Sequence, residues 1–430
     1  MVGFFPNLRG ILMSKFYLMC VEGGEVRKDV LFNFSCPNHR RLSRSIYSKR
    51  NLALRRLPGI WRFIDWLPVN EPSSYSDKPV TYKSEGLAEY LGLKNLYITF
   101  NGYWPERDVN METCTFKELE AAVTIRYAQE NNVSKLVIAS AGNTAKAFAA
   151  AATQECFPVV LLVPRKCLCG VFLPRYDRRY VKTVMITDGD YSDSIALAKR
   201  LSRIKGFTYE GGARNIARRD GLGTVLLDAV FEIGCMPRHY FQAVGSGTGA
   251  IAAYEAALRL REDGRFGGAL PRLHLAQNLP VAPMYSAWRA GRREIVPAED
   301  IPQVENVLDL IYARVLSNRY PPYSIAGGVY DALVVTQGEM YGVRNSEAKR
   351  AKALFAKLEG IDILPAAGVA VAALLQAVEK GSIRRQDITL LNITGGGSAR
   401  LRKDKKLHRL KEDYTLSKDA DDRELRELEL

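Results

Sequence analysis

The sequence predicts an α/β protein of two intimately packed lobes with parallel strands. Three observations predict it. From Lys135 onward, short apolar runs ended by Gly, Ser or Asn alternate with segments of helical period. Three of those runs enter loops rich in glycine or asparagine, at residues 140–144, 245–249 and 394–397. The length of 430 residues, 47% hydrophobic and 25% charged, suits two globular lobes and excludes a disordered or collagenous chain. Strand and helix in alternation require crossover connections, which join parallel strands.

Taken in order, residues 1–12 read as an N-terminal extension, because Met13 opens a more natural start, "MSKFYLMC". Residues 13–120 are rich in aromatics and proline, with turns in "LPVNEPSSYSDKP", and are expected to form the N-terminal part of the larger lobe. The smaller lobe is expected over 121–240. There "KLVIAS" reads as a strand, residues 141–143 as a turn and "TAKAFAAAATQE" as a helix. "PVVLLVP" and "TVMIT" are further buried strands, and helices are expected at 192–205 and 223–233. The larger, ligand-binding lobe follows over 241–400. It opens on the strand "YFQAV" and continues through "RLHLAQ", helices at 328–335, 345–358 and 366–380, and the strand "ITLLNI". A charged tail occupies 401–430, and the stretch from 400 onward reads as a surface helix.

Composition narrows the function classes. The longest apolar runs are far too short to cross a bilayer, and the first residues carry no small-residue cleavage site, so neither a membrane span nor a secretory signal is expected. Seven cysteines without a regular framework suit reduced thiols in the cytoplasm. The net charge of +14 gathers in basic clusters near the two ends, where a solvated surface explains it, and no nucleic-acid module is visible. His39, His239, His274 and His408 form neither a Ser-His-Asp nor a metal-pair pattern. Cys114 reads as a buried structural thiol.

The chemistry sits in the loops. Gly245, Ser246, Gly247, Thr248 and Gly249 lie between a strand and a helix, where exposed amides and the helix dipole make an anion cradle. The spacing is neither that of a dinucleotide fingerprint nor that of a P-loop. Gly395-Gly396-Gly397 follows Thr394 at a strand's carboxyl end, where open sheets place ligands. Asn143 sits at a third such junction, either facing a ligand or capping a helix. A phosphate cradle without nucleotide signatures leaves phosphorylated cofactors such as pyridoxal 5′-phosphate, which needs a lysine.

"TCTFKELEA", with Lys117 after Thr115-Phe116, resembles the Ser-Phe-Lys motif of threonine synthases. "SAGNT" resembles their asparagine loop, "GSGTG" their phosphate loop and "TGGG" the end that meets the pyridine nitrogen, all in the same order. The resemblance runs from Met13 to about Arg400. It implies a fold type II pyridoxal-phosphate enzyme, tryptophan-synthase-β-like, with two open twisted sheets flanked by helices. It implies that Lys117 carries the cofactor as a Schiff base and shuttles the α-proton. Asn143 would bond the phenolic oxygen, the backbone of residues 245–249 would hold the phosphate, and the Thr394 hydroxyl would meet the ring nitrogen.

Within that family, "METCTFKELEA", "AVGSGTGAIAAYEAALRL", "HLAQNLPVAPMYSAWRAGRREI" and "ILPAAGVAVAALLQAVEKG" resemble the members of methanogenic archaea. Those exchange the phosphate of O-phospho-L-serine for sulfite, giving L-cysteate for coenzyme M biosynthesis. The alternatives are threonine synthase proper, acting on O-phosphohomoserine, and, from another class, a non-catalytic basic binding protein. Either enzyme needs cations for charged substrates, for which Lys146, Arg214, Arg218, Arg292 and Arg293 are the candidates. A homo-oligomer, dimer or trimer, is the expected assembly. Departures from the family pattern are visible too. Ala145 stands where a glycine is expected and Leu119 where many threonine synthases have Arg. Of a zinc-ribbon-like set only Cys20, Cys36 and His39 remain, because Gly23 replaces a cysteine. Structural zinc takes four ligands, so a metal-free knuckle is expected.

Overall fold

Strands and helices sort into two main sheets, and the runs of small and apolar residues decide which face each element buries. The computed structural model describes residues 14–28, 34, 36, 41–75, 77–304 and 306–428. The extension expected at 1–12 and the candidate ligand His39 lie outside these residues.

In chain order the elements that build the lobes are β1 (Val80–Lys83), β2 (Leu96–Phe100), α1 (Lys117–Glu130), β3 (Leu136–Ala139), α2 (Asn143–Gln154), β4 (Val159–Pro164) and β5 (Val181–Ile186). There follow α3 (Tyr191–Leu201), β6 (Thr208–Tyr209), α4 (Ile216–Ile233), β7 (His239–Ala243), α5 (Thr248–Asp263) and β8 (Arg272–Asn278). The last are β9 (Glu339–Val343), α6 (Asn345–Glu359), α7 (Pro365–Glu379), β10 (Thr389–Ile393) and β11 (Tyr414–Leu416).

The smaller sheet has five parallel strands in the order β6-β3-β4-β5-β11. The larger has six in the order β9-β8-β7-β10-β2-β1, parallel except for β1, which runs antiparallel to β2. Strands such as β4, Val-Val-Leu-Leu-Val-Pro, are buried on both faces because helices cover both sides. A separate three-stranded antiparallel sheet is formed by Phe16–Cys20, Val26–Arg27 and Ser43–Tyr47. It is tied to α4 by the Ser45 and Tyr47 hydroxyls, each donating to Asp220 at 2.6 Å.

The helix α1 departs from an amphipathic pattern. It is buried nearly all round, Glu118 and Glu120 included. Helix α4 packs against it so closely that a side chain at Gly221 would place Cβ 2.5 Å from the Leu119 carbonyl oxygen. That close approach brings Arg218, one turn earlier on α4, against Glu120.

The tail corrects the helix expected from residue 400 onward. Helix occupies only Ser398–Asp404 and Asp422–Arg426, and between them β11 joins the smaller sheet, pairing Tyr414 with Val184 and Leu416 with Ile186. Asp413 fixes this register by accepting from the Thr183 amide at 2.8 Å. The alternation of Leu416 inward and Thr415 outward is a strand signal only three residues long. The charged segments on either side hid it. Among the described residues, no helix is long and apolar enough to cross a membrane, and no group of three or more His, Cys, Asp or Glu side chains is placed to hold a metal. Cys36 lies near Glu25, with its Sγ 3.6 Å from the Glu25 Oε2.

Candidate active site

Four loops from distant parts of the chain meet in one cleft of about 650 Å³, open to solvent. Lys117, Asn143, Gly245, Ser246, Gly247, Thr248, Gly249 and Thr394 all line it. The lysine and the cofactor-binding residues expected from the sequence are therefore in the same place. The loop before Lys117 and the loop at Thr394 are bolted together. The Phe116 amide donates to the Thr394 carbonyl at 3.0 Å, the Thr115 hydroxyl to the same oxygen at 3.3 Å, and the Gly396 amide to the Cys114 carbonyl at 3.2 Å. Lys117 then opens α1 with its ε-amine in the cleft.

That amine donates to Glu120 Oε2 at 3.2 Å. Glu120 Oε1 accepts from Arg218 Nη2 at 2.5 Å and from the Thr144 hydroxyl at 3.3 Å, and Arg218 Nη1 donates to Glu210 at 2.8 Å. Burial drives the Lys117 ammonium below the ordinary lysine range, against the pull of Glu120. Burial would also raise Glu120, but Arg218 and Lys117 outweigh it and hold that carboxyl below its ordinary value. Burial raises Glu210, with Arg218 opposing. Arg218 rises above its ordinary value despite burial, because Glu120 and Glu210 flank it.

The glycine loop fits a phosphate. Among the described residues, the amides of Gly245, Ser246, Gly247 and Gly249 donate to no protein acceptor, while Thr248 lies near its neighbour's hydroxyl at 3.4 Å. Unspent amides at the start of a 16-residue helix want an anion. Gly247 holds φ at +79°, and a Cβ there would sit 2.3 Å from Val329 Cγ2. Gly247→Ala is expected to lower stability by about 1–3 kcal/mol and to weaken cofactor retention. Thermal melts with and without added pyridoxal phosphate check this, since the ligand-induced shift should shrink as well as the melting point.

Asn143 does not cap its helix. Ser140 does so instead, its hydroxyl accepting from the Ala145 amide at 2.7 Å and the Gly142 amide at 3.0 Å, which leaves the Asn143 amide group to the cleft. The Thr394 hydroxyl likewise has no protein partner among the described residues, although its carbonyl is doubly used. Cys114 is a buried thiol pushed up to about 11 by burial, which disfavours the thiolate.

Of the five candidate cations only Arg218 lines the cleft. Arg292 is spent on Asp300 and Glu299, Arg293 on Asp331, and Arg214 donates to the Arg41 carbonyl. Lys146 lies near Cys114 and Arg402 and does not line the cleft. The expectation that several arginines share the pocket is thus corrected to one. Sequence reasoning missed Glu120, Tyr191 and Gln242. Glu120 was detectable, since a residue three after Lys117 in a helix shares its face. It missed equally the bonded pair His239 and His274, 2.9 Å apart across β7 and β8, which also reach Asp387 and Tyr341.

The match to known proteins agrees with this geometry. Residues 84–395 match the family model described as pyridoxal-phosphate dependent enzyme. The chain is 55% identical to the cysteate synthase of Methanocella paludicola over 375 residues, covering 87% of this chain and 88% of that protein. It is 50% identical to the cysteate synthase of Methanosarcina mazei, covering 94% of this chain and 97% of that protein. Among solved structures, maize serine racemase superposes with a TM-score of 0.56 at 15% identity, covering 76% of this chain and 91% of that one. A pyridoxal 5′-phosphate-dependent aspartate racemase gives 0.54 at 14% identity, covering 74% and 90%. These neighbours share the fold type II architecture expected from the sequence, and the cofactor that goes with the family is pyridoxal 5′-phosphate. With the family model spanning most of the chain and half or more of the residues identical to cysteate synthases, the protein belongs to the pyridoxal-phosphate-dependent enzyme family.

Proposed function

We propose that the enzyme exchanges the phosphate of O-phospho-L-serine for sulfite, giving L-cysteate and phosphate. What carries the reading is the meeting, in one cleft, of the Lys117 amine with the unspent amides of Gly245, Ser246, Gly247 and Gly249 and with Asn143 and Thr394 side chains that no protein group engages among the described residues. An amine beside unspent amide donors suits chemistry on a small amino acid carried by an anionic cofactor, and Arg218, held by Glu120 and Glu210, orders that wall of the cleft. The relatives named cysteate synthase support cysteate as the product.

When bound, pyridoxal phosphate supplies the electron sink that acidifies the substrate's Cα. The chain's own residues do the rest. The free amides of residues 245–249 would hold the phosphate, Asn143 would reach the ring's oxygen and Thr394 its nitrogen. A neutral hydroxyl at that nitrogen does not demand a protonated ring, which moderates the sink and favours loss of a good leaving group. Lys117 would hold the cofactor through its ε-amine and, once displaced by the substrate's amine, take the Cα proton. The Cβ–O bond then breaks, phosphate leaves with the electron pair, and the sulfite sulfur uses its lone pair to bond Cβ. Lys117 returns the proton to Cα. Such a product would serve coenzyme M biosynthesis.

O-phosphohomoserine is the competing substrate, but its phosphate leaves from Cγ and a second proton must be removed before water adds. The deciding assay follows phosphate release from each phosphoamino acid, with and without sulfite, and identifies the product by mass. Sulfite-dependent cysteate from phosphoserine is expected. Sulfite-independent threonine from O-phosphohomoserine, with phosphoserine inert, would overturn the proposal.

A further inference from the structure

Glu120 bridges the two cations that line the cleft. It is fully buried, and its partners come from three helices: Lys117 on α1, Thr144 on α2 and Arg218 on α4. A carboxylate held from three directions cannot turn away without breaking a bond. Arg218 is anchored in turn by Glu210, so two cations and two carboxylates balance in one chain of contacts.

We propose that Glu120 is a positioning residue, a fixed carboxylate dock that receives the Lys117 ε-ammonium whenever that amine is released from the cofactor. The inference rests on the assignment of Lys117 made above. When the substrate's amine displaces Lys117, the ε-amine takes a proton from Cα and becomes a cation in a cleft where burial penalises charge. With the Lys117 amine free, Glu120 Oε2 lies 3.2 Å from its nitrogen, within hydrogen-bond distance. The ammonium is therefore held at a set point until its proton returns to Cα, and no proton or electron is gained over the cycle. The groups that face Lys117 are Glu120 from its own helix, Arg218 from α4 and Glu210 after β6, with Tyr191 of α3 facing Arg218.

The test reads the titration of Lys117 in the full-length chain freed of cofactor. Acetic anhydride labelling across a pH series, with mapping of the Lys117 peptide, gives the pH at which the amine becomes reactive. Glu120→Gln is expected to lower that midpoint by about 1–3 pH units, the size of one close opposite charge. Glu210→Gln, which acts from behind Arg218, should lower it by less than half as much. A merely structural role for Glu120 would leave the midpoint in place. An unchanged midpoint in Glu120→Gln, or an equal shift in both variants, overturns the dock. Should the glutamine variant fail to fold, Glu120→Asp carries the test. Its carboxylate is withdrawn by one methylene, so an intermediate fall is expected and a wild-type profile overturns the inference. Borohydride reduction of the holoenzyme, mapped in the same series, separates the two assignments. A cofactor found on another lysine sinks the role of Lys117 in catalysis but leaves the measured Glu120 to Lys117 coupling standing.

Discussion

Lys117→Ala is expected to cut turnover by at least about 10²–10⁴-fold, the usual share of a proton-transfer group, with the fold intact and the cofactor still bound without a covalent link. The phosphate cradle at residues 245–249 and the hydroxyl of Thr394 do not depend on that side chain, so binding should outlast chemistry. Glu120 would keep Arg218 as its partner, and removing a cation that burial already disfavours costs the fold little. Borohydride should fix the cofactor to the wild-type Lys117 peptide and to no peptide of the variant. Retained turnover in the alanine variant, or borohydride labelling at Lys135 or Lys146, would end the assignment.

Arg218→Met should act on stability instead. Breaking a buried ion pair from one side typically costs about 3–5 kcal/mol, because the partner is left charged and dry. Here Glu210 loses its cation and Glu120 keeps only Lys117. In the wild type, Arg218 and Lys117 hold Glu120 low against the penalty of burial. Its contribution is therefore complete above the unfolded carboxyl value and lost as pH falls through the folded one. For Glu210 the sign is the opposite one already in the wild type, where burial raises it against the pull of Arg218, and losing Arg218 raises it further. The native state then binds more protons than the unfolded one, and stability recovers as pH falls through that raised value. Urea unfolding at two pH values reads both effects. A deficit that does not shrink on acidification would show that the carboxylates are not the source of the loss.

Much of the architecture was legible because parallel sheets announce themselves through buried strands followed by helices. "PVVLLVP" and "TVMIT" became β4 and β5, and "ITLLNI" became β10. The cleft was legible for a related reason. Its parts sit where strands end, and Gly247 is a residue that only glycine's backbone freedom allows. What was hidden depends on long-range contact. Arg218 and Arg292 are equally basic in the sequence and both pair with carboxylates, yet one lines the cleft and the other is held away from it by Asp300. Nothing local distinguishes them. Glu120 could have been picked out from its place three residues after Lys117, but α1 is buried nearly all round, so its carboxylates do not mark a solvent face and burial does not separate Glu120 from Glu118. The His239 and His274 pair could not be seen from residues 35 positions apart without the register of β7 on β8.

The pairing of β11 with β5 also sets a sequence of events during synthesis. The outer edge of β5 carries unpaired amides and carbonyls until residues 414–416 emerge from the ribosome, more than two hundred residues after β5 itself. An open strand edge of that kind is a template for pairing with another chain. Until β11 emerges the edge at residues 184–186 has no strand to pair with, and every strand of the larger sheet is made before that partner is. Deleting β11 would leave that edge open permanently and favour aggregation over loss of catalytic groups, since none of the cleft residues comes from that strand.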